Sequence, residues 1–355
     1  MLTRKQLSAI SINVIIVKML MTYPRFLYIK NGNAAWIVVL YCTFVAFLLF
    51  YVTKFFYRYN VNIIDLSEKI GGKTLRIIIG TVVILIMGLK FFSLIRIVPD
   101  FIRLVLLKET YTEVIGLVFI ISLIVGAFCG IESIGRVHRF FMPVAGIIFF
   151  IFLLLLIPSL KIDNILPVMG KGSFNLFIDG ISALSIFSDI LLINILIPNV
   201  RKIEDYEKSG TKAIIIGGAV SVLISLVYSL SYPYPVSTEF IIPIYQLERL
   251  IHFSTFFSRF EAVFQFVWCI SVILYGATYV TVISEVFKST FNHRYSKPLI
   301  TPIAICIVGA ALMPQTFSDM ANIEMKINEW IYLPSFFIPI ALGIAYKIKK
   351  CRKGK

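Results

Sequence analysis

Apolar runs long enough to cross a bilayer alternate with short polar and charged stretches along almost the whole chain. A hydrocarbon core needs about 20 apolar residues per helical span. The pattern predicts spans near residues 7–29, 35–57, 77–101, 112–131, 140–160, 177–198, 213–233, 261–287, 298–317 and 329–348. The expected fold is therefore an all-α polytopic membrane protein of about ten transmembrane helices. It forms one integral domain over residues 1–355, with a basic tail at 349–355. The first run has no small-residue cleavage site and continues through Tyr23-Pro24-Arg25 towards a second span, so it is expected to stay as a helix.

Loop charge orients this layout. With both termini cytoplasmic, the inner loops and tails hold more than twice as many Lys and Arg as the outer loops, as the positive-inside rule requires. Composition agrees, since 59% of the residues are apolar and 15% charged, whereas soluble domains approach a quarter charged. The formal net charge of +15 sits in short loops and in Lys347, Lys349, Lys350, Arg352, Lys353 and Lys355. A lipid surface accounts for that placement better than nucleic acid does.

Enzymatic chemistry finds little support. Cys42, Cys129, Cys269 and Cys306 lie in apolar spans and Cys351 in the tail, with no CxxC or Cys/His cluster, so no disulfide framework, metal site or cofactor is expected. His138, His252 and His293 are expected outside the spans, and no nucleotide loop or HExxH string occurs. The arginine spacing of a voltage sensor and a TVGYG-like filter are also missing, which disfavours a channel with a dedicated filter.

Polar and helix-breaking residues inside spans mark places where freed backbone groups face protein or water. Two spans stand out. The first carries Asn13, Lys18, Met19, Thr22 and Pro24; the sixth carries Ser182, Ser185, Phe187, Ser188, Asp189, Asn194 and Pro198. These would open two five-helix halves, about 7–160 and 177–348, which run in opposite directions because five is odd. Discontinuous helices 1 and 6 of such inverted repeats meet at the midplane. A charge there costs about 2.5–3.5 kcal/mol on insertion scales, so Lys18 and Asp189 are expected to face inward and to pair. The alternative is that Lys18 snorkels while Asp189 caps a helix break. Span 3 offers Lys90, Phe91, Phe92, Ser93 and Arg96 to the same cavity, and span 8 offers Tyr275, Gly276, Thr278, Tyr279 and Thr281.

Other motifs read as structural. Glu132 and Arg136 in Gly130-Ile-Glu-Ser-Ile-Gly-Arg136 have the i,i+4 spacing of a helix ion pair. Gly217-Gly218 permits close helix approach. Residues 61–76 suit a short interfacial helix ended by Gly71-Gly72. Residues 236–260 suit an amphipathic outer helix, either covering a gate or partner site or packing at the interface.

The order of several strings across residues 3–348 resembles the B subunit family of spore germinant receptors, a branch of the amino acid–polyamine–organocation transporter superfamily. They are the Leu7 span ending at Tyr23-Pro24, Asp65-Leu-Ser-Glu68-Lys-Ile-Gly71-Gly72-Lys73, Gly130 to Arg136, Asn164-Ile-Leu-Pro167-Val168, and Ser258-Arg259-Phe-Glu261-Ala with Trp268. The resemblance implies a fold like that of the leucine transporter. It also implies a germinant site at the breaks of helices 1 and 6, a small nutrient ligand such as an amino acid, and a complex with an A subunit and a C-subunit lipoprotein in the spore inner membrane. Ligand binding would then trigger ion release and germination. Where that family usually has Gly and small polar residues, this chain has Val17-Lys18-Met19, so the ammonium stands for a coupling cation or as a carboxylate receiver, or the subunit senses a different nutrient or acts only in company with another B subunit. A proton-coupled amino acid transporter is the competing expectation, and a purely structural scaffold a third.

Overall fold

A computed structural model of the chain describes residues 1–56, 61–251, 260–311, 313 and 316–353. Of the motif and tail residues named from the sequence, His252, Ser258, Arg259 and Lys355 lie outside the described residues, as do Phe253, Phe256 and Phe257 of the outer segment. The described structure is helical almost throughout: α1 Arg4–Met19, α2 Tyr23–Asn31, α3 Ala35–Phe56, α4 Ile63–Val105, α5 Thr112–Cys129 and α6 Ile131–Leu156. The second half holds α7 Ser173–Ile178, α8 Ile190–Ile195, α9 Ile203–Ser231, α10 Pro243–Glu248, α11 Phe260–Phe291, α12 Ile300–Ala311, α13 Phe317–Trp330 and α14 Tyr332–Lys353. A 3-10 stretch, Gly180–Phe187, lies between α7 and α8.

Seven helical stretches among the described residues are long and apolar enough to cross a membrane, with shorter apolar helices at Leu176–Phe187 and Lys297–Ala311. The count falls below ten because the first and sixth spans are made of short pieces and the helix of the ninth, Ile300–Ala311, has only 12 residues. Local chemistry sets several ends. Asn62 Oδ1 accepts from Asp65 N at 2.7 Å to start α4, and Thr316 with Asp319 forms a capping box at α13. The interfacial helix from Ile63 does end at Gly71-Gly72, where Gly72 takes φ 71° and the chain turns into the long span of α4.

The helices pack in two groups. The pieces of the first span, α3, the 3-10 stretch and α9 pack on one another. The other group is α4, α5, α11 and α12. Small residues allow close approach within the first: a Cβ on Gly217 would lie 2.7 Å from Ile15 of α1, and one on Gly218 2.3 Å from Thr43 of α3. Between the groups, Asn13 of α1 gives both amide hydrogens away, to Ser271 O of α11 at 2.9 Å and His138 Nε2 of α6 at 3.2 Å. The His138 Nδ1–H donates to Ile134 O at 2.9 Å, which leaves Nε2 as the acceptor.

Four expectations need correction. Helix α6 starts at Ile131, not near 140, so His138 is fully buried inside a helix rather than outside the spans. The charged residues around it had lowered the local hydropathy, although they lie on the exposed side. Glu132 and Arg136 do not pair: Glu132 accepts from the Met1 ammonium, and Arg136 donates to Ser133 Oγ at 2.7 Å. The ninth span ends at Ala311, and the polar stretch beyond it forms the separate helix α13. Up to Ile251, the outer segment is a 3-10 turn, Val236–Thr238, plus the short α10, not one long amphipathic helix. Pro243 fixes where α10 can begin, and Gln265 Nε2 donates to the buried Glu248 at 2.6 Å, which holds it on α11.

Gly218→Leu is expected to destabilise the protein by roughly 1–3 kcal/mol, because α9 must move off α3. Gly309→Ala, where a Cβ meets nothing within 4 Å, serves as the control. Thermal melting of the two variants in detergent checks this, and equal melting temperatures would refute the contact's importance.

Candidate functional site

The first span breaks where it does because Pro24 has no N–H to donate and fits only the first turn of a new helix. Leu20 N and Met21 N turn back to Val17 O at 3.2 Å and Lys18 O at 3.1 Å before α2 begins at Tyr23. In the sixth span, hydroxyls compete with the helical ladder. Ser182 Oγ donates to Asp179 O at 2.7 Å and Ser188 Oγ to Ser185 O at 2.6 Å, and between them the chain winds as 3-10 helix.

The two breaks face each other. Lys18 Nζ donates to Ile186 O at 2.7 Å and to Ser185 O at 3.0 Å, a carbonyl that also accepts from Ser188 N at 3.3 Å. The same ammonium lies 2.6 Å from Asp189 Oδ2, an ion-pair contact whose angle is not that of a directed hydrogen bond. Asp189 Oδ1 accepts from Lys90 Nζ of α4 and from Tyr279 OH of α11. One carboxylate is thus shared by two ammonium groups and a phenol. The side chains of Lys18, Lys90 and Asp189 are 11%, 7% and 0% exposed, so the cluster is sealed from solvent.

Aromatic rings surround it. Tyr279 stacks on Phe91 at 6.0 Å and meets Tyr275 at 4.6 Å, and Phe187 is fully buried. Tyr23 OH lies 2.5 Å from Ser185 Oγ. On the far side of the first break, Thr22 Oγ1 donates to Glu324 of α13, and Lys30 Nζ lies 2.5 Å from Glu329 of the same helix. Helix α13 also packs on α4 and on the 3-10 stretch, so it is tied to both broken spans.

Of the residues singled out from the sequence, Lys18, Lys90, Ser185, Asp189 and Tyr279 converge, with Phe91 and Tyr275 packed on them. Pro24 ends the first break, and Thr22 turns to Glu324 instead. Met19 is buried and makes no polar contact there. Ser93, Ser188 and Thr278 bond to backbone carbonyls of their own segments, at 3.0, 2.6 and 2.8 Å, and do not join the cluster. Tyr23 and Glu324 were missed. The signal for Glu324 was the apolar spacing of Met320, Ala321 and Ile327 in a stretch that otherwise reads as loop.

Two broken helices meeting at a buried charge cluster, inside two packed helix groups, define a membrane protein of transporter architecture. A solved structure of Mhp1, a nucleobase-cation-symport-1 family transporter in a closed conformation with bromovinylhydantoin bound, has the same fold. Its TM-score is 0.61 at 14% sequence identity, covering 89% of this chain and 73% of that one. The chain belongs to the family described as spore germination protein, whose profile matches residues 1–320. Spore germination protein B2 of Bacillus subtilis (strain 168) is 25% identical over 206 residues, 57% of this chain and 55% of that protein. Spore germination protein A2 of the same organism is 23% identical over 343 residues, covering 93% of this chain and 91% of its own length. The match thus spans about half of B2 and nearly all of A2.

Removing the shared carboxylate leaves two buried ammonium groups facing each other. Asp189→Asn is expected to cost about 3–5 kcal/mol, more than Lys18→Met or Lys90→Met alone. A thermal-melting cycle on Lys18→Met, Asp189→Asn and the double variant should give a coupling above about 1 kcal/mol, and strict additivity would reject the pair.

Proposed function

We propose that this protein is the membrane-embedded nutrient-sensing subunit of a spore germinant receptor, and that a small germinant, an amino acid in the first instance, binds where helices 1 and 6 break. The observation that carries the reading is the Asp189 cluster, because its four members come from both helix groups. Lys18 and Asp189 belong to one group, Lys90 and Tyr279 to the other. A ligand carboxylate competes with Asp189 for the ammonium groups of Lys18 and Lys90. Binding that is stronger in one arrangement of the groups than in another shifts the population towards that arrangement. In this reading the change passes to an A subunit and a C-subunit lipoprotein in the spore inner membrane, with both termini cytoplasmic.

A proton-coupled amino acid transporter is the second reading. Its support is the fold shared with a symporter and the nearness of two carboxyl groups, Asp189 and Glu324, to two ammonium groups. Intramembrane acids and amines of this kind are the usual parts of proton relays.

Deleting the gene in its spore-forming host and restoring wild type, Lys90→Met or Phe187→Ala separates the readings. The receptor reading predicts a lost response to one amino acid of a panel, with normal partner-subunit abundance in the spore. Germination unchanged on every nutrient, with lost uptake of a solute, would make the protein a transporter.

A further inference from the structure

A cavity lies away from the charge cluster, in the groove between α1, α6, α9 and α11, with a volume of about 770 Å³. Its deep walls are apolar, with Ile12, Ile16, Phe149, Phe264 and Trp268 among them. At the end where α1 begins, Arg4, Lys5, Arg139 and Lys212 line its mouth. None of these four has an acidic partner at ion-pair distance among the described residues. An adjoining depression adds Lys208, paired with Glu204 at 3.9 Å, together with Glu207. The balance at the mouth is strongly positive.

We propose that this groove binds an anionic phospholipid, with the headgroup on the four cations and an acyl chain along α1. Depth supports that occupant. The lining runs along α1 from Ser8 to Leu20, about 18 Å at the helical rise of 1.5 Å per residue, against roughly 15 Å of hydrocarbon in one leaflet. Polarity supports it too, since the charged lining residues lie at one end and the far end has none. A buried peptide helix would leave the cations unmatched, whereas a phosphate pairs with Arg and Lys through charge-assisted hydrogen bonds. A groove of about 880 Å³ between α4, α11 and α12 marks the contrast: its walls are wholly apolar, so nothing there selects a headgroup.

The test uses the full chain purified in neutral detergent and exchanged with either phosphatidylglycerol or phosphatidylcholine, with retained lipid counted by mass spectrometry and by the melting shift. Wild type is expected to retain phosphatidylglycerol preferentially. Each cation near an anionic group is worth roughly a fivefold change in affinity, so Arg4→Gln with Lys212→Gln should cut retention about 30-fold. Gly146→Trp provides a variant that leaves the charges alone. Gly146 lines the groove and a Cβ there meets nothing within 4 Å, so the ring fills the acyl path without a clash at its root. Loss of lipid in that variant, with the melting temperature in lipid-free detergent kept, supports the site. Lys69→Gln with Lys73→Gln removes two exposed cations elsewhere. Equal retention of the two lipids by wild type, or an equal loss in that control, would overturn the proposal.

Discussion

The structure depends on one buried carboxylate. A charge at the bilayer centre is unfavourable unless it is matched, and Asp189 is matched three times, by Lys18, Lys90 and Tyr279. Lys18 in turn donates to the Ile186 carbonyl at the end of the 3-10 stretch, and adds to the bonds that Ser185 O already takes from Ser188. The helix breaks and the ion cluster therefore stabilise each other. In an unbroken helix these carbonyls would be engaged by the ladder, and without the ammonium the Ile186 carbonyl would lose its partner in a region without water.

Because the cluster's members come from both helix groups, it fixes the relation between them as well as the break. The ties on either side have different characters. Asn13, His138 and Ser271 form a neutral polar brace along α1, whereas Thr22–Glu324 and Lys30–Glu329 bind α13 to α2 through charged groups. Two ammonium groups and one carboxylate at the centre, close to a second carboxyl on α13, leave the local charge open to adjustment by a carboxylate ligand or a proton. The sensing and transport readings both draw on that property. They differ in the event that ligand binding sets off, a signal to partner subunits in one and passage of a solute in the other.

Much of this was legible in the sequence, for definite reasons. Lys18 and Asp189 are charges in apolar runs, and Pro24 cannot continue a helix, so the breaks and their pairing followed from solvation and sterics. Lys90 was visible as a third intramembrane charge, but its partner was not, since periodicity does not say which faces of distant helices meet. The hydroxyls misled. Ser93 and Thr278 are indistinguishable in sequence from Ser185, yet they spend their hydrogen bonds on their own helices. His138 was misplaced because Arg136 and Arg139 lowered the hydropathy around a residue that faces inward. Glu324 was hidden in a stretch whose polar residues read as loop, and only tertiary packing makes that stretch a helix.

The winding of the sixth span has a further consequence, in length. Gly180–Phe187 comprises 8 residues of 3-10 helix, which rises about 2.0 Å per residue against 1.5 Å for an α-helix. Rewinding the stretch as α-helix would shorten it by about 4 Å and turn its side chains to new bearings. The segment beside Asp189 thus stores extension like a drawn spring, reachable by exchanging i→i+3 for i→i+4 hydrogen bonds and held drawn by an ammonium on two of its carbonyls.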